Sequence, residues 1–410
     1  MRIEIVAIGD EILKGMISNT NATFMSRALY EKGYQVTQHR VLSDELQVLK
    51  EGLEVALKHS DLVITTGGLG STLDDHTRRI VAELFNSEFH LDQRVREDLH
   101  HRFGSQLLSL TDQATIPCKA DPLLNTIGTA PGLVFKRGKT VLILLPGVPH
   151  EMQVMFTEQV LPLIQSTFPL LKKREFVPMH FCLLAESQVD PSLRELKEQF
   201  PLVEVGIYPA FGAVTVQLSS ENRKQLNSFC QELKQRFAQH LFPSSSGKIA
   251  EAILQWFKEH DKRLALAESC TGGMIASLLT AIPGSSSYFL GSFVTYCDAL
   301  KMNVLNVAPT VLQQEGAVSE STVRAMLQGV FARSAADFAI AVSGIAGPDG
   351  GSEEKPVGTV WAAIGQRGQL PEVGRLHLKG DRQKIILSSS NYLLGALWRK
   401  IAYGAPAFLK

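Results

Sequence analysis

Five short, mostly apolar runs recur along the chain, at residues 3–8, 61–65, 141–145, 264–267 and 337–342, and each empties into a polar or glycine-rich loop. Such runs lack the alternation of a half-solvated strand, so they read as strands buried on both faces. Between the first of them the chain turns helical. Ser18-Asn19-Thr20-Asn21 caps a helix over 22–32 that Gly33 ends, 36–42 forms a second strand, and 44–59 carries Leu46, Leu49, Leu53 and Leu57 at helical spacing. The β-α-β succession predicts an α/β protein, with a three-layer N-terminal domain around a mostly parallel sheet and ligands held at the carboxyl ends of its strands.

From about residue 176 the texture changes to a strand at 180–184, a helix at 191–199, a strand at 213–218 and a helix at 223–241. That pattern predicts a small α+β module, closed by the linker Pro243-Ser244-Ser245-Ser246-Gly247. A further α/β domain follows, opening with a helix over 249–260 and later showing a strand at 357–364 and a helix at 383–401. The expected domains are therefore 1–170, 171–246 and 247–410.

The third strand opens into Thr66-Gly67-Gly68-Leu69-Gly70-Ser71-Thr72-Leu73-Asp74-Asp75. Gly67, Gly68 and Gly70 can cradle phosphates with backbone N–H groups. Asp74 belongs to the same nucleotide-binding loop, and Asp75 with Asp10 or Asp74 can hold a divalent cation that neutralises those phosphates. A turn with helix-capping aspartates fits the same letters. Glu151, in the first turn of the helix after residue 145, reads as a dipole-stabilising residue.

The C-terminal domain carries the second site. Leu264-Ala265-Leu266-Ala267 runs into Glu268-Ser269-Cys270-Thr271-Gly272-Gly273, and Met274, Ile275, Leu278, Leu279 and Ile282 then share one helical face. Thr271, Gly272 and Gly273 thus fall at a helix N-terminus, where free N–H groups attract a phosphate or an oxyanion. Residues 292–296 read as a strand ending at Tyr296, with Lys301 about one helical turn beyond. No histidine stands in the usual elbow spacing around Ser269, so lysine is the available base, and it must be held neutral, below its ordinary pKa of about 10.4. Spacing alone also fits a Ser269 that only caps the helix and a solvated Lys301. Ser343-Gly344-Ile345-Ala346-Gly347-Pro348-Asp349-Gly350-Gly351 forms another loop able to wrap a polar ligand, and Arg382 offers a planar fork for a phosphate.

With 41 basic and 41 acidic residues, the chain has no charge excess to drive general nucleic-acid binding, and its one dense basic run is Lys172-Lys173-Arg174. No nucleic-acid partner is expected. The five cysteines form no C-x-x-C pair, which suits a reducing cytoplasm better than a disulfide framework or a zinc ribbon. Acidic residues near the start and the lack of any apolar run of about 18 residues predict neither signal peptide nor membrane span. A homodimer is the default expectation.

Together these strings resemble the CinA family (competence/damage-inducible protein A), over essentially the whole chain. The likeness is carried by Ile8-Gly9-Asp10-Glu11-Ile12-Leu13-Lys14-Gly15 with Asn19-Thr20-Asn21-Ala22, by Gly67-Gly68-Leu69-Gly70 with Asp74-Asp75, by Ala267 to Gly273, and by Ser343 to Gly351 with Lys355-Pro356-Val357-Gly358-Thr359. Ser71 stands where the family's loop has proline, which loosens the turn and leaves both carboxylates. The resemblance implies a molybdopterin-binding-like N-terminal domain, associated with metal-dependent ADP-ribose pyrophosphatase activity. It implies a C-terminal nicotinamide mononucleotide (NMN) deamidase that needs no cofactor and yields nicotinate mononucleotide and ammonia. Ser269, Lys301 and Tyr296 map on the family's catalytic positions, with Tyr296 expected to relay or steady the proton transfer. Cys270, Thr271, Gly272, Gly273, Ser343, Gly344 and Arg382 are the expected substrate contacts. A pterin- or nucleotide-binding N-terminal domain without turnover, or an interaction role in DNA uptake, are the alternatives it leaves open.

Overall fold

The structure, a computed structural model, describes residues 1–70, 75–104, 110–170 and 174–408. Ser71 and Asp74 of the glycine-rich loop, and Lys172 and Lys173 of the basic run, lie outside the described residues. Two compact units divide the chain, Met1–Lys173 and Arg174–Lys410.

The first unit contains strands β1 (Ile3–Ile8), β2 (Val36–Leu42), β3 (Leu62–Thr66), β4 (Phe89–Leu91), β5 (Thr115–Pro117), β6 (Asp121–Leu123), β7 (Gly132–Arg137) and β8 (Thr140–Leu145). Six of them form one sheet in the order β2-β1-β3-β8-β7-β6, and β4 pairs with β5 alone. The β2-β1-β3-β8 pairings are parallel, while β7 and β6 add antiparallel edges. Alternation along β1 builds three layers. Ile3 and Ile5 pack with Met25 and Leu29 of the helix Thr20–Glu31, and Val6 and Ile8 pack with Leu49 and Leu53 of the helix Leu46–His59 on the opposite face. Asn19 caps the first of these helices by accepting the Ala22 N–H at 3.0 Å.

The second unit begins with β9 (Glu175–Cys182), β10 (Glu204–Ala210), β11 (Ala213–Ser220) and β12 (Leu241–Phe242), antiparallel in the order β10-β11-β9-β12. The helix expected at 191–199 spans Glu186–Gln199, because the Gln188 side chain reaches back to the Ala185 N–H at 2.7 Å and starts it before Pro191. A second sheet follows: β13 (Leu264–Glu268), β14 (Phe289–Val294), β15 (Phe338–Gly344), β16 (Thr359–Gln366) and β17 (Glu372–His377). Its order is β14-β13-β15-β16-β17, parallel across the first three and antiparallel beyond. Leu264 and Leu266 face one core, Ala265 and Ala267 the other.

The compact units meet close to the expected divide at 170, and the expected divide at 246 falls within the second of them. Cys182 and Leu183 from the end of β9 belong to the same apolar cluster as Leu264, Ile340 and Trp398. Trp398 Nε1 donates to Leu241 O at 2.9 Å, tying the C-terminal helix Arg382–Tyr403 to β12. The four-stranded sheet packs its own core around Phe181, Val216 and Phe229, and Cys182, Leu183 and Phe242 join it to the core of the five-stranded sheet within one compact unit. No helix among the described residues is long and apolar enough to cross a membrane.

Candidate active site

β13 is the central strand of three parallel neighbours, and Ser269 follows it directly, at the carboxyl end of the sheet. The Ser269 N–H donates to Val342 O at 3.1 Å, which fixes the serine against β15. On its other side, Thr295 N–H donates to Glu268 O at 2.8 Å, and there β14 has already ended. Tyr296 therefore lies in the loop leading to the helix Asp298–Leu305, not at the end of a strand as its sequence suggests.

That loop aims the lysine. Lys301 Nζ sits 3.1 Å from Ser269 Oγ, 3.1 Å from Thr295 O and 3.1 Å from Tyr296 O, and the residue is 1% exposed. A neutral amine has two N–H donors and one lone pair. With both donors on the two carbonyls, the lone pair is left facing the serine hydroxyl, which donates into it. As an ammonium the same nitrogen donates three hydrogen bonds to the same three oxygens. Both protonation states are satisfied in one geometry, as a proton carrier needs. Burial holds Lys301 below the usual lysine range, opposed chiefly by the Asp298 carboxylate 3.8 Å away.

Cys270, next to the serine, is buried and its thiol is pushed up to about 12, so it stays protonated and is no rival nucleophile. The expected anion site at the helix N-terminus needs correction. The fully buried Glu268 carboxylate occupies it, accepting from Thr271 Oγ1 at 2.8 Å, Gly273 N–H at 3.1 Å, Ile275 N–H at 3.1 Å, Ala276 N–H at 3.0 Å and Ser292 Oγ at 3.0 Å. Gly272 N–H closes a turn onto Ser269 O at 3.0 Å. The Thr271 hydroxyl and the N–H groups of Gly272 and Gly273 therefore shape the elbow and are not offered to a ligand. Gly272 and Gly273 adopt φ of 59° and 97°, where a Cβ is strained. The N–H groups of Cys270 and Thr271 make no hydrogen bond among the described residues.

A pocket of about 250 Å³ opens over Ser269 and Lys301. Cys270, Tyr296, Ser343, Gly344, Asp349 and Arg382 are among the residues that line it. Ser343 Oγ donates to Ala317 O at 2.7 Å and fixes the wall. Arg382 donates from Nη1 to Gly347 O at 2.8 Å and from Nη2 to the Tyr296 hydroxyl at 2.7 Å. The Tyr296 phenol thus steadies the arginine, while the backbone carbonyl of the same residue serves the lysine. A proton relay through the phenol is not what this geometry makes. Sequence reading passed over the role of Glu268 and the carbonyls of Thr295 and Tyr296. A carboxylate immediately before a Thr-Gly-Gly helix start was the signal for the first, and backbone acceptors leave no signal at all.

In the first unit, Gly67 and Gly68 leave β3 with φ of 113° and 67°. A Cβ on Gly67 would meet Ile8 O at 2.2 Å, so the close approach to β1 demands glycine. Thr77 Oγ1 donates to Gly67 O at 3.2 Å, and Asn21 Nδ2 to Thr66 Oγ1 at 2.9 Å and Gly147 O at 2.8 Å, gathering the strand ends. The Asp75 carboxylate lies against Gly70. Asp10 is ion-paired with Lys14 at 2.8 Å, which lowers its pKa. Glu151 accepts from Asn125 Nδ2 at 2.7 Å. No group of three or more metal-ligating side chains gathers among the described residues. These residues do not make a dedicated cation cage.

Residues 246–401 match the family model described as CinA C-terminal domain, and residues 4–166 match the one described as "Probable molybdopterin binding domain". A CinA-like protein of Dictyoglomus thermophilum is 34% identical over 410 residues, covering 97% of this chain and 99% of its own length. The chain belongs to the CinA family. A CinA-like protein of Myxococcus xanthus is 33% identical over 420 residues, 99% of this chain and 100% of the other. Among solved structures, the competence/damage inducible protein CihA from Agrobacterium tumefaciens is 40% identical, with a TM-score of 0.37, and covers 38% of this chain and 96% of that one.

Proposed function

We propose that the C-terminal part of this CinA-family chain is a Ser-Lys amidohydrolase that converts NMN to nicotinate mononucleotide and ammonia. The observation that carries this reading is the buried Lys301 amine, 3.1 Å from Ser269 Oγ. Ser269 attacks the carboxamide carbon while its proton passes to Nζ of Lys301. The resulting oxyanion lies against the N–H groups of Cys270 and Thr271, and one such donor is typically worth about 2.7–4 kcal/mol of barrier. The lysine proton then goes to the leaving nitrogen, which departs as ammonia; Lys301 next takes a proton from the water that attacks the acyl-enzyme and returns it to Ser269 Oγ as the carbon–Oγ bond breaks. Arg382, at the pocket rim, offers its guanidinium edge to the substrate phosphate. The carboxamide specificity rests on the family likeness of the motifs around Ser269 and Ser343. Ammonia released from NMN by the purified chain, and lost in Ser269→Ala, tests the proposal. Undiminished release from Ser269→Ala would overturn it.

For the N-terminal part we propose a diphosphate-binding loop at Gly67, Gly68 and Gly70 that serves ADP-ribose hydrolysis. Support comes from the two left-handed glycines at the carboxyl end of β3 and from Asp75 beside Gly70. With no cation cage among the described residues, a divalent ion would bind there through Asp75 together with the ligand's own phosphate oxygens. ADP-ribose hydrolysis that stops with a chelator and in Asp75→Ala supports this, and chelator-insensitive hydrolysis counts against the metal.

A further inference from the structure

The proton that Lys301 takes up must be held in a nearly dry place until it reaches the leaving group. Asp298 is the one ion-pair partner of Lys301 among the described residues, one helical turn earlier at 3.8 Å from Nζ. At that distance it does not compete for the donors on Thr295 O, Tyr296 O and Ser269 Oγ; it acts through its charge. Its side chain is 57% exposed, while the lysine it faces is buried. The other titratable or charged groups around the amine are Cys270 and Glu268 from the β13 end, Tyr296 and Cys297 from the loop, and Arg382 and Asp349 across the pocket. Of these, Glu268 is engaged at the helix N-terminus, and Arg382 is held in place by Gly347 O and the Tyr296 hydroxyl.

We propose that Asp298 is a positioning residue for the base, its carboxylate stabilising the ammonium that forms when Lys301 takes the Ser269 proton. This rests on the Ser-Lys reading above. In that step the Oγ–H bond breaks and an N–H bond forms at Nζ. The Oγ–carbon bond forms as the carbonyl π pair moves to oxygen, and the carboxylate only screens the new positive charge. Asp298 thus strengthens the base at the expense of keeping more of it protonated in the resting enzyme.

That trade-off gives a signature. Asp298→Asn weakens the base, so the acid limb of the pH–rate profile moves down by about one pH unit. With Brønsted sensitivity near one half, the variant turns over about threefold slower on the alkaline plateau and about threefold faster on the acid limb. The two profiles cross, whereas a merely structural loss lowers the rate at every pH. The experiment is ammonia release from NMN against pH for wild type and Asp298→Asn, with the Lys301 titration read by ¹³C NMR of lysine-labelled full-length chain, a measurement that needs no turnover. A lower Lys301 titration point and crossing profiles support the proposal; an unmoved titration point or a uniformly slower variant overturns it. If wild type releases no ammonia, the deamidase reading falls, and the NMR titration still decides whether Asp298 governs Lys301.

Discussion

At the scale of single residues, the site turns on where one lysine spends its hydrogen bonds. The carbonyls of Thr295 and Tyr296 take two donors and leave a lone pair facing Ser269. Lys301→Arg keeps the charge but cannot be deprotonated, so ammonia release should fall by about 10²–10⁴-fold. Rate should also rise with pH through a single ionisation, its midpoint below the ordinary lysine value of about 10.4, because burial lowers the Lys301 pKa. The same shift fixes the sign for stability. Between the lowered folded value and about 10.4 the unfolded chain binds more protons, so stability rises with pH there. Denaturant titrations at several pH values should show this component in wild type and not in Lys301→Met. A pH–rate profile without an acid limb would remove lysine as the base.

At the scale of elements, the short helix Met274–Thr280 is held by a carboxylate from the strand that precedes it. Glu268 serves five donors, and no amide can. In Glu268→Gln the NH₂ group must face either the Ala276 N–H and Ser292 hydroxyl or the cluster of Thr271, Gly273 and Ile275. The hydroxyl can turn to accept, but a backbone N–H cannot. One buried N–H is then left unpaired, at a cost of about 1–3 kcal/mol, and the melting temperature should drop by about 2–4 °C per kcal/mol. Scanning calorimetry checks this, and an unshifted transition would mean that the carboxylate does not hold the elbow. The sequence reading placed the strand, the glycine elbow and the helix correctly because apolar spacing and glycine conformations are local matters. It assigned the helix N-terminus to a ligand because a side chain folding back onto its own helix leaves no mark in periodicity.

At the scale of the whole molecule, two compact units divide the chain, and the small antiparallel sheet belongs with the C-terminal one. Trp398, with its ring in the core of the five-stranded sheet and its indole N–H on Leu241 O, ties the two sheets of that second unit. Trp398→Ala should cost about 3–5 kcal/mol in the second unit and leave the first untouched. Calorimetry of the full chain should therefore show one transition lowered and the other in place; a shift of both would mean that the units unfold together.

The sequence alone determined the α/β class, the strands buried on both faces, the glycine loops at their carboxyl ends and the CinA resemblance. Each of these follows from local patterning or from contiguous strings of residues. Only the tertiary structure decided that Tyr296 gives its carbonyl to Lys301 and its phenol to Arg382. It also decided that Glu268 occupies the helix end, and that Cys182, Leu183 and Phe242 pack into the core of the residues after 246. These depend on how β13, β14 and β15 lie beside one another and on side chains crossing between elements, a distance in space that no spacing along the chain encodes.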